Sequence, residues 1–440
     1  MATWSVLLLA LVLSTALRLG QSEFTDPEQI AIAATECKYG NCTDSYSGIV
    51  VTWVTFNRTE TSEVQYGIHS DKTDLSKTAK GDTTKFVVGD VNRFIHRTTL
   101  RNLVPLAKYD YRCGSPANWS QVLTLRTLGD HTSSPTLAFY GDFGLENARS
   151  LPWLIDDVNR ERFDAVLHAG DMAYNLFNDE GRVGDDFMNQ IQDVASRVPY
   201  MVAPGNHEWL DNFTHYIHRF SMPGNKEGLM YSWTVGPVRV ISFNTEFYFF
   251  LWYGVDLIKW QYQWLEEQLA MANTPEERNK HPWIITIAHH PMYCTTIDED
   301  DCDHYNSVVR VGEPTVHKFG LENLFYKYGV DIELWGHEHI YERFWPLYDF
   351  TVYNGSLDAP YTDPKAPIHI VSGSAGCREK HAGFQKEQPD WMAFRSEDYG
   401  YSRIKVYNHT HVTVEQISAD QDGTVIDKFT IIKHYHGPYN

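Results

Sequence analysis

The spacing of apolar residues along the chain changes character near residue 130. Before this point, apolar residues occupy alternate positions in short segments. In the segment SGIVVTWVT, Ile49, Val51 and Trp53 alternate with residues of the opposite face, as in a half-buried strand. Similar short segments follow, separated by Gly, Asn and Asp turns: VQYG, KFVV, HRTTL, YDYRC and QVLTLRT. Regularly spaced short strands predict a β-sandwich over residues 23–130.

After the polar linker at residues 129–135, continuous apolar runs alternate with helical patterns. Leu321, Leu324, Phe325 and Tyr328 recur at helical spacing before Gly329, which is a helix stop signal. The predicted strands are Leu137–Tyr140, Ala165–Leu167, Tyr200–Ala203, Val238–Phe243, Trp283–Ala288, Val330–Trp335 and Ile368–Val371. This alternation predicts a layered α/β domain over residues 131–440. The predicted fold class is therefore α/β, with a β-sandwich in front of the α/β domain.

The first 22 residues have the pattern of a cleavable secretory signal. Leu7 to Leu13 is an apolar run followed by small and polar residues, although no basic residues precede it. A signal anchor is the alternative, but the run is shorter than the ~20 residues that span a bilayer. We expect a secreted protein, with delivery to lysosomes as the other possibility, and no membrane span in the mature chain.

Glycosylation and disulfide signals agree with export. N-x-[ST] sequons, each an expected site for an N-linked glycan, occur at Asn41, Asn57, Asn118, Asn212, Asn354 and Asn408. The cysteines are Cys37, Cys42, Cys113, Cys294, Cys302 and Cys377. They could form up to three disulfides in an oxidising compartment, and Cys37–Cys42 and Cys294–Cys302 are plausible pairs because they are near in sequence.

The overall charge limits the class of partner. A formal net charge of −20 at pH 7 argues against a nucleic-acid-binding protein, because phosphate backbones attract basic surfaces. An anionic substrate would need a local source of positive charge, which bound metal cations supply.

Polar clusters follow five of the predicted strands in the α/β domain. They are Gly141-Asp142-Phe143-Gly144, Gly170-Asp171-Met172-Ala173-Tyr174, Gly205-Asn206-His207-Glu208, Ala288-His289-His290-Pro291 and Gly336-His337-Glu338-His339. Because the carboxyl ends of strands form the ligand crevice of an α/β sheet, we expect the clusters to converge. Each cluster alone is also compatible with an ordinary turn, but two Asp, one Asn and at least three His at strand ends together predict a metal site.

The residue types indicate which metals this site would hold. Imidazole suits iron, zinc and manganese, while carboxylate and amide oxygens suit harder ions. One Asp carboxylate can bridge two cations, which fits a clamp of two ions ~3.5–4 Å apart. Such a clamp activates a bound water and steadies the attacking and leaving oxygens of a phosphoryl transfer.

The order G-D-x-G, G-D-x-x-Y, G-N-H-[DE], strand-end His and G-H-x-H resembles the calcineurin-like metallophosphoesterases, and Tyr174 narrows the resemblance to purple acid phosphatases. Residues 103–109, LVPLAKY, resemble the corner motif of fibronectin type III domains, which the larger enzymes of that family carry at the N-terminus. The resemblance implies an acid phosphatase that hydrolyses small phosphate monoesters by attack of a metal-bound hydroxide. It also implies Fe(III) and a second divalent metal (zinc, iron or manganese), and it allows a homodimer.

The resemblance assigns ligands to both metals. It implies a ferric site of Asp142, Asp171, Tyr174 and His339, and a divalent site of Asp171 as bridge with Asn206, His289 and His337. His290 is the alternative to His289, which is preferred because it lies two residues before Pro291. His207 would contact the phosphate or protonate the leaving oxygen, as a positioned imidazolium can, and a hydrogen-bonding role within its loop is the alternative. His304 is the nearest candidate for a second phosphate-facing histidine, and Glu208 and Glu338 are expected to orient ligand histidines.

Two other functions remain open from the sequence. A calcineurin-like phosphodiesterase or nucleotidase would share four of the five motifs, and Tyr174 is the residue that discriminates between the two functions. A binding glycoprotein whose phosphatase site has lost its ligands is the alternative from another class, but every expected ligand position holds a competent residue.

Overall fold

The computed structural model describes residues 25–35, 48–224, 227–313, 315 and 317–439. The predicted signal segment (residues 1–22), the Asn41 sequon and the Cys37–Cys42 pair lie outside these residues.

The first part of the chain is a sandwich of two four-stranded antiparallel sheets, with strand orders β1-β2-β6-β5 and β4-β3-β7-β8. The strands are β1 Glu28–Ala34, β2 Ile49–Thr55, β3 Glu63–Ile68, β4 Lys77–Lys80, β5 Asp82–Val88, β6 Val91–Leu100, β7 Lys108–Gly114 and β8 Leu123–Arg126. Ile49, Val51 and Trp53, the alternating residues of β2, are buried in its core. These three side chains point from the same face of β2 into the core, which explains why apolar residues occupy every second position there.

Two larger sheets form the second part of the chain, so the predicted fold class is confirmed. Their strand orders are β11-β10-β9-β21-β22-β23 and β12-β13-β14-β15-β19-β16-β20, and a two-stranded β17-β18 ribbon stands apart. The first strands are β9 Thr136–Tyr140, β10 Ala165–Ala169, β11 Tyr200–Ala203, β12 Tyr231–Val235, β13 Val238–Ser242, β14 Trp283–Ala288, β15 Ile332–Trp335 and β16 Tyr341–Phe344. The others are β17 Leu347–Tyr348, β18 Thr351–Val352, β19 Ile368–Ser372, β20 Met392–Ser396, β21 Gly400–Val406, β22 His411–Ser418 and β23 Thr424–Ile432.

The two sheets pack face to face, and helices cover their outer faces. Leu167 of β10 and Ile285 of β14 point into one apolar cluster shared by both sheets. Their neighbours Val166 and Ile284 point into a second cluster that includes the helices. The helices are α1 Leu151–Asn159, α2 Arg182–Ala195, α3 Leu210–Arg219, α4 Glu246–Phe249, α5 Val255–Ala272, α6 Pro275–Lys280, α7 Val308–Val311 and α8 Glu322–Tyr328. Buried strands with apolar residues on both faces account for the continuous apolar runs in the sequence.

The parallel strands of the two sheets carry the polar clusters. Strands β9, β10 and β11 run parallel in one sheet, as do β13, β14, β15 and β19 in the other. Their carboxyl ends meet at one edge of the two-sheet stack, and the polar clusters lie there.

One predicted disulfide is confirmed, since Cys294 is bonded to Cys302. Cys113 and Cys377 are buried free thiols. Among the described residues, no helix has the length and apolar character needed to cross a membrane.

Candidate metal centre

Close approach of strand ends builds the site, and Gly170 shows why glycine is needed there. Gly170 has a positive φ of 77°, which favours glycine. A Cβ atom at this position would lie 2.6 Å from His289 Nδ1 and 2.7 Å from the Gly205 Cα. The loops that follow β10, β11 and β14 therefore meet at a distance that only a residue without a side chain allows.

Asp142, Tyr174 and His339 form one half of the cluster. The Tyr174 hydroxyl donates to Asp142 Oδ1 at 3.1 Å and lies 3.0 Å from His339 Nε2. His339 Nε2 is 3.5 Å from the same Asp142 oxygen. Asp142 Oδ2 accepts a hydrogen bond from the His337 backbone N–H at 2.8 Å, which links the loops after β9 and β15.

Asp171, Asn206, His289 and His337 form the other half. His289 Nε2 lies 2.9 Å from Asn206 Oδ1 and 3.4 Å from Asp171 Oδ1. His337 Nδ1 lies 3.1 Å from the same Asn206 oxygen and 3.2 Å from His289 Nε2. Donor atoms of Asp142, Asp171 and His289 all lie within 4.8 Å of one another, so the two halves form one cluster.

The hydrogen bonds of the two imidazoles show that this half suits a cation. His289 Nδ1 contacts the Ala169 carbonyl at 2.7 Å, and His337 Nε2 contacts the Asp300 carboxylate. Since both of these nitrogens face acceptors, they carry the ring protons. When neither ring carries a second proton, the opposite nitrogens turn their lone pairs toward each other and toward the Asn206 oxygen. Three converging lone pairs repel one another unless a cation lies between them, so the donor set fits a metal ion.

Electrostatics within the cluster agree with this conclusion. Burial lowers the pKa of His289, but the carboxylates of Asp171 and Asp142 raise that pKa well above its ordinary value. Burial and the same two carboxylates raise the pKa of Tyr174 well above its ordinary value. The buried carboxylates therefore favour positive charge in the cluster, and a bound metal would supply it.

His290 has different surroundings from His289. Its Nε2 lies 3.3 Å from Glu246 Oε2, and its ring stacks on Phe249 with centroids 3.9 Å apart. Its ring also packs 3.7 Å from that of His337. His289, in contrast, points its Nε2 at three of the other candidate ligands.

His207 lies at the rim of the cluster. Its side chain is 21% exposed, and its Nε2 is 3.7 Å from Asp171 Oδ2 and 3.8 Å from Glu379 Oε1. Its Nδ1 forms a short hydrogen bond with Asn175 Oδ1. The imidazole is therefore held at one nitrogen and accessible to solvent next to the candidate ligands.

His304 is placed differently. Its side chain is 62% exposed, and its Nδ1 lies 3.1 Å from Asp303 Oδ1. Within the described residues, the hydrogen bonds and ion pairs of His304 do not reach any of the seven candidate ligands. Its role stays a prediction.

Three further residues contact the candidate site. The sequence analysis gave Glu208 a different role and did not identify Asp300 or Cys377. Glu208 accepts hydrogen bonds from the backbone N–H groups of Asp171, Met172 and Gly205 at 2.9–3.0 Å. It therefore braces the loops rather than orienting a ligand histidine. Asp300 contacts His337, and Cys377 Sγ lies 3.4 Å from His339 Nδ1. Both come from segments without a recognisable motif, so only the tertiary structure identifies them.

Three family models match successive parts of this chain. The "Purple acid Phosphatase, N-terminal domain" matches residues 27–127. "Calcineurin-like phosphoesterase" matches residues 135–341. "Iron/zinc purple acid phosphatase-like protein C" matches residues 366–428. The second of these spans all five strand-end clusters.

Similar proteins and a similar fold are also known. The chain is 50% identical over 425 residues to acid phosphatase type 7 of Danio rerio, covering 94% of this chain and 93% of that protein. It is 48% identical over 402 residues to acid phosphatase type 7 of Homo sapiens, covering 89% and 90%. Purple acid phosphatase PPD1 from yellow lupin (Lupinus luteus) seeds has the same fold, with a TM-score of 0.75 at 24% identity, over 93% of this chain and 75% of that one.

Proposed function

This chain belongs to the purple acid phosphatase family, and from that premise we propose how its residues hydrolyse phosphate monoesters. It is a metal-dependent acid phosphatase with a dinuclear metal centre. The observation that carries the proposal is the convergence of the His289 and His337 nitrogens on the Asn206 oxygen beside two buried carboxylates. This arrangement turns metal-donor atoms toward one point, where bound cations would attract the phosphate of a substrate.

We assign the ligands as follows. Asp142, Asp171, Tyr174 and His339 would hold Fe(III). Asp171 would also bridge to a divalent zinc, iron or manganese ion held by Asn206, His289 and His337. The contacts of His289 with Asn206, Asp171 and His337 favour it over His290, which faces Glu246. The two ions would supply Lewis-acid activation of the attacking water and neutralise charge on the phosphate.

The other residues position the substrate and move protons. His207 is the general acid in this proposal, because its Nε2 faces the cluster from a partly exposed ring while Asn175 holds its Nδ1. An imidazole fixed in this way can donate a proton to the leaving oxygen of a monoester. Glu208 keeps the loops that carry Asp171 and Asn206 at a fixed distance through its three backbone hydrogen bonds.

We also propose that residues 23–130 are a scaffold domain and residues 131–440 the catalytic domain of a secreted or lysosomal glycoprotein. The Cys294–Cys302 disulfide suits an oxidising compartment. Asn57, Asn212 and Asn408 are exposed and can accept glycans. Mass spectrometry before and after glycan removal tests this part, and an unmodified protein from a secretory host would contradict it. A homodimer stays a prediction.

The function is tested on protein purified from a eukaryotic secretory host. We expect kcat/KM for an aryl phosphate monoester to exceed that for the matching diester and to be higher at acidic than at neutral pH. Removal of metal with a chelator should abolish the activity, and refilling should restore it. A preference for the diester would favour the phosphodiesterase alternative, and full activity in the metal-free protein would overturn the proposal.

A further inference from the structure

We propose that Asp300 is a positioning residue for His337, and that the Cys294–Cys302 disulfide holds the loop from which Asp300 acts. This inference rests on the proposed metal centre, in which His337 is a ligand of the divalent ion. It adds a residue outside the five strand-end motifs and a covalent link to that centre.

The two nitrogens of His337 face different partners. Nδ1 points into the cluster, 3.1 Å from Asn206 Oδ1 and 3.2 Å from His289 Nε2. Nε2 makes a short hydrogen bond to Asp300 Oδ2. A carboxylate at Nε2 places the ring proton there, presents the Nδ1 lone pair to the metal, and makes the imidazole a stronger donor. The arrangement is a carboxylate–histidine–metal triad.

The second oxygen of Asp300 is used within its own loop. Oδ1 accepts a hydrogen bond from the Asp301 backbone N–H at 2.6 Å and caps the short 3-10 turn Asp301–Asp303. One oxygen therefore fixes the side chain to its loop while the other fixes His337. Asp300 can orient the imidazole only while this loop keeps its position.

The disulfide holds the Asp300 loop next to the segment that contains His337. Cys294 and Cys302 bracket the loop that contains Asp300, and both are 2% exposed. Cys302 Sγ lies 3.1 Å from Oε1 of Glu338, the residue after His337. At the other end, the Thr295 backbone N–H donates to Glu342 Oε1 at 3.1 Å. The loop is thus hydrogen-bonded through Thr295 to β16, the strand that follows His337, and at its other end it packs against the residue next to His337.

A different interpretation has to be separated from this one. Donor atoms of Asp300, His337 and Glu338 lie within 4.8 Å of one another, so Asp300 could itself ligate an additional cation. In that case its loss would lower the number of bound metals rather than the affinity of the divalent site.

The test compares Asp300→Asn with Asp298→Asn. In the first variant the amide oxygen of the new side chain can still cap the turn, while the charged acceptor for His337 is lost. Asp298 is exposed in the same loop, so its variant has the same charge change without the contact. Metal retention is measured against a competing chelator, with the Fe(III)–tyrosine visible band as internal reference. We expect divalent affinity to fall by about 10–100-fold in Asp300→Asn, with Asp298→Asn close to wild type and the band retained in both.

The disulfide is tested with the double variant Cys294→Ser/Cys302→Ser, alone and combined with Asp300→Asn. If the disulfide acts through Asp300, the double variant should weaken divalent binding in the wild-type background but add little once Asp300 is lost. Fully additive effects would overturn the link to the disulfide. Equal retention in Asp300→Asn and Asp298→Asn, or a third metal in the wild type, would overturn the role of Asp300. A wild-type protein that binds no metal pair would instead contradict the proposed function.

Discussion

Tyr174 shows how one residue can separate this centre from other metallophosphoesterase sites. It is 2% exposed, its hydroxyl contacts Asp142 and His339, and its ring packs against that of His207 with centroids 4.4 Å apart. The phenol oxygen thus lies at the proposed ferric site, and the ring packs against His207, the proposed general acid. Replacement by Phe removes only the first of these contacts.

We predict that Tyr174→Phe abolishes the visible absorption band while the fold persists. The phenolate is the proposed source of charge transfer to Fe(III), and Phe preserves the ring. Tyr140→Phe is the matched control, because Tyr140 is equally buried and its hydroxyl donates to Tyr200 rather than to the cluster. Both variants should lose about 1 kcal/mol of unfolding free energy. A coloured Tyr174→Phe protein would exclude Tyr174 as the ferric ligand.

The candidate ligands could be predicted from the sequence because each follows a buried strand and belongs to a short motif. The residues that orient them could not. Asn175 follows a motif residue but contacts His207 across the cluster. Asp300 and Cys377 reach their histidines from loops whose course depends on tertiary packing and, for Asp300, on a disulfide. The sequence thus predicts the candidate metal donors. The structure is needed to identify the residues that contact and orient those side chains.

At the scale of elements, the strands that precede the candidate ligands were predicted well and the peripheral elements were not. Strand β14 has the predicted bounds Trp283–Ala288, and Gly329 ends α8 in a left-handed conformation with φ of 64°. The hairpins formed by β21, β22 and β23 and the helix α2 were not predicted. Strand β23 alternates exposed and buried positions, so its signal was present, whereas Gly184 and adjacent acidic residues weaken the helical pattern of α2.

The junction of strands β10, β11 and β14 should not tolerate a side chain at Gly170. We predict that Gly170→Ala lowers kcat on the order of 100-fold, since a methyl group 2.6 Å from His289 Nδ1 must displace this candidate ligand. Gly224→Ala is the control, because Gly224 also has a positive φ, 87°, but an added Cβ meets nothing within 4 Å. The control should cost about 1 kcal/mol of stability and keep its activity. Equal losses in both variants would attribute the effect to backbone strain instead of crowding.

On the scale of the whole molecule, the sandwich and the catalytic part share a buried ion cluster. Arg93 of β6 donates to both oxygens of Asp185 in α2 at 2.6–3.0 Å. Arg219 of α3 donates to Asp185 Oδ1 at 2.8 Å. Nearby, the Ile30 backbone N–H of β1 donates to Gln192 Oε1 of α2 at 2.8 Å. These contacts join strands β1 and β6 of the sandwich to helices α2 and α3 of the second part of the chain. The two parts should therefore unfold together.

Loss of the Asp185 charge should therefore destabilise the whole molecule. In Asp185→Asn, two guanidinium groups that are at most 2% exposed lose their counter-charge, which should cost about 3–5 kcal/mol of unfolding free energy.

Burial raises the pKa of Asp185, but hydrogen bonds from Arg93 and Arg219 bring it below the ordinary value of 3.8. The contribution of this carboxylate is thus fully present above pH ~4 and is lost only as the pH falls through the lowered pKa. The difference between wild type and variant should be the same at pH 5 and pH 7, measured by urea unfolding. Asp186→Asn, an exposed neighbour, provides the control for charge. A variant as stable as this control, or one in which the sandwich melts separately while the catalytic part keeps its wild-type midpoint, would show that the cluster does not couple the two parts.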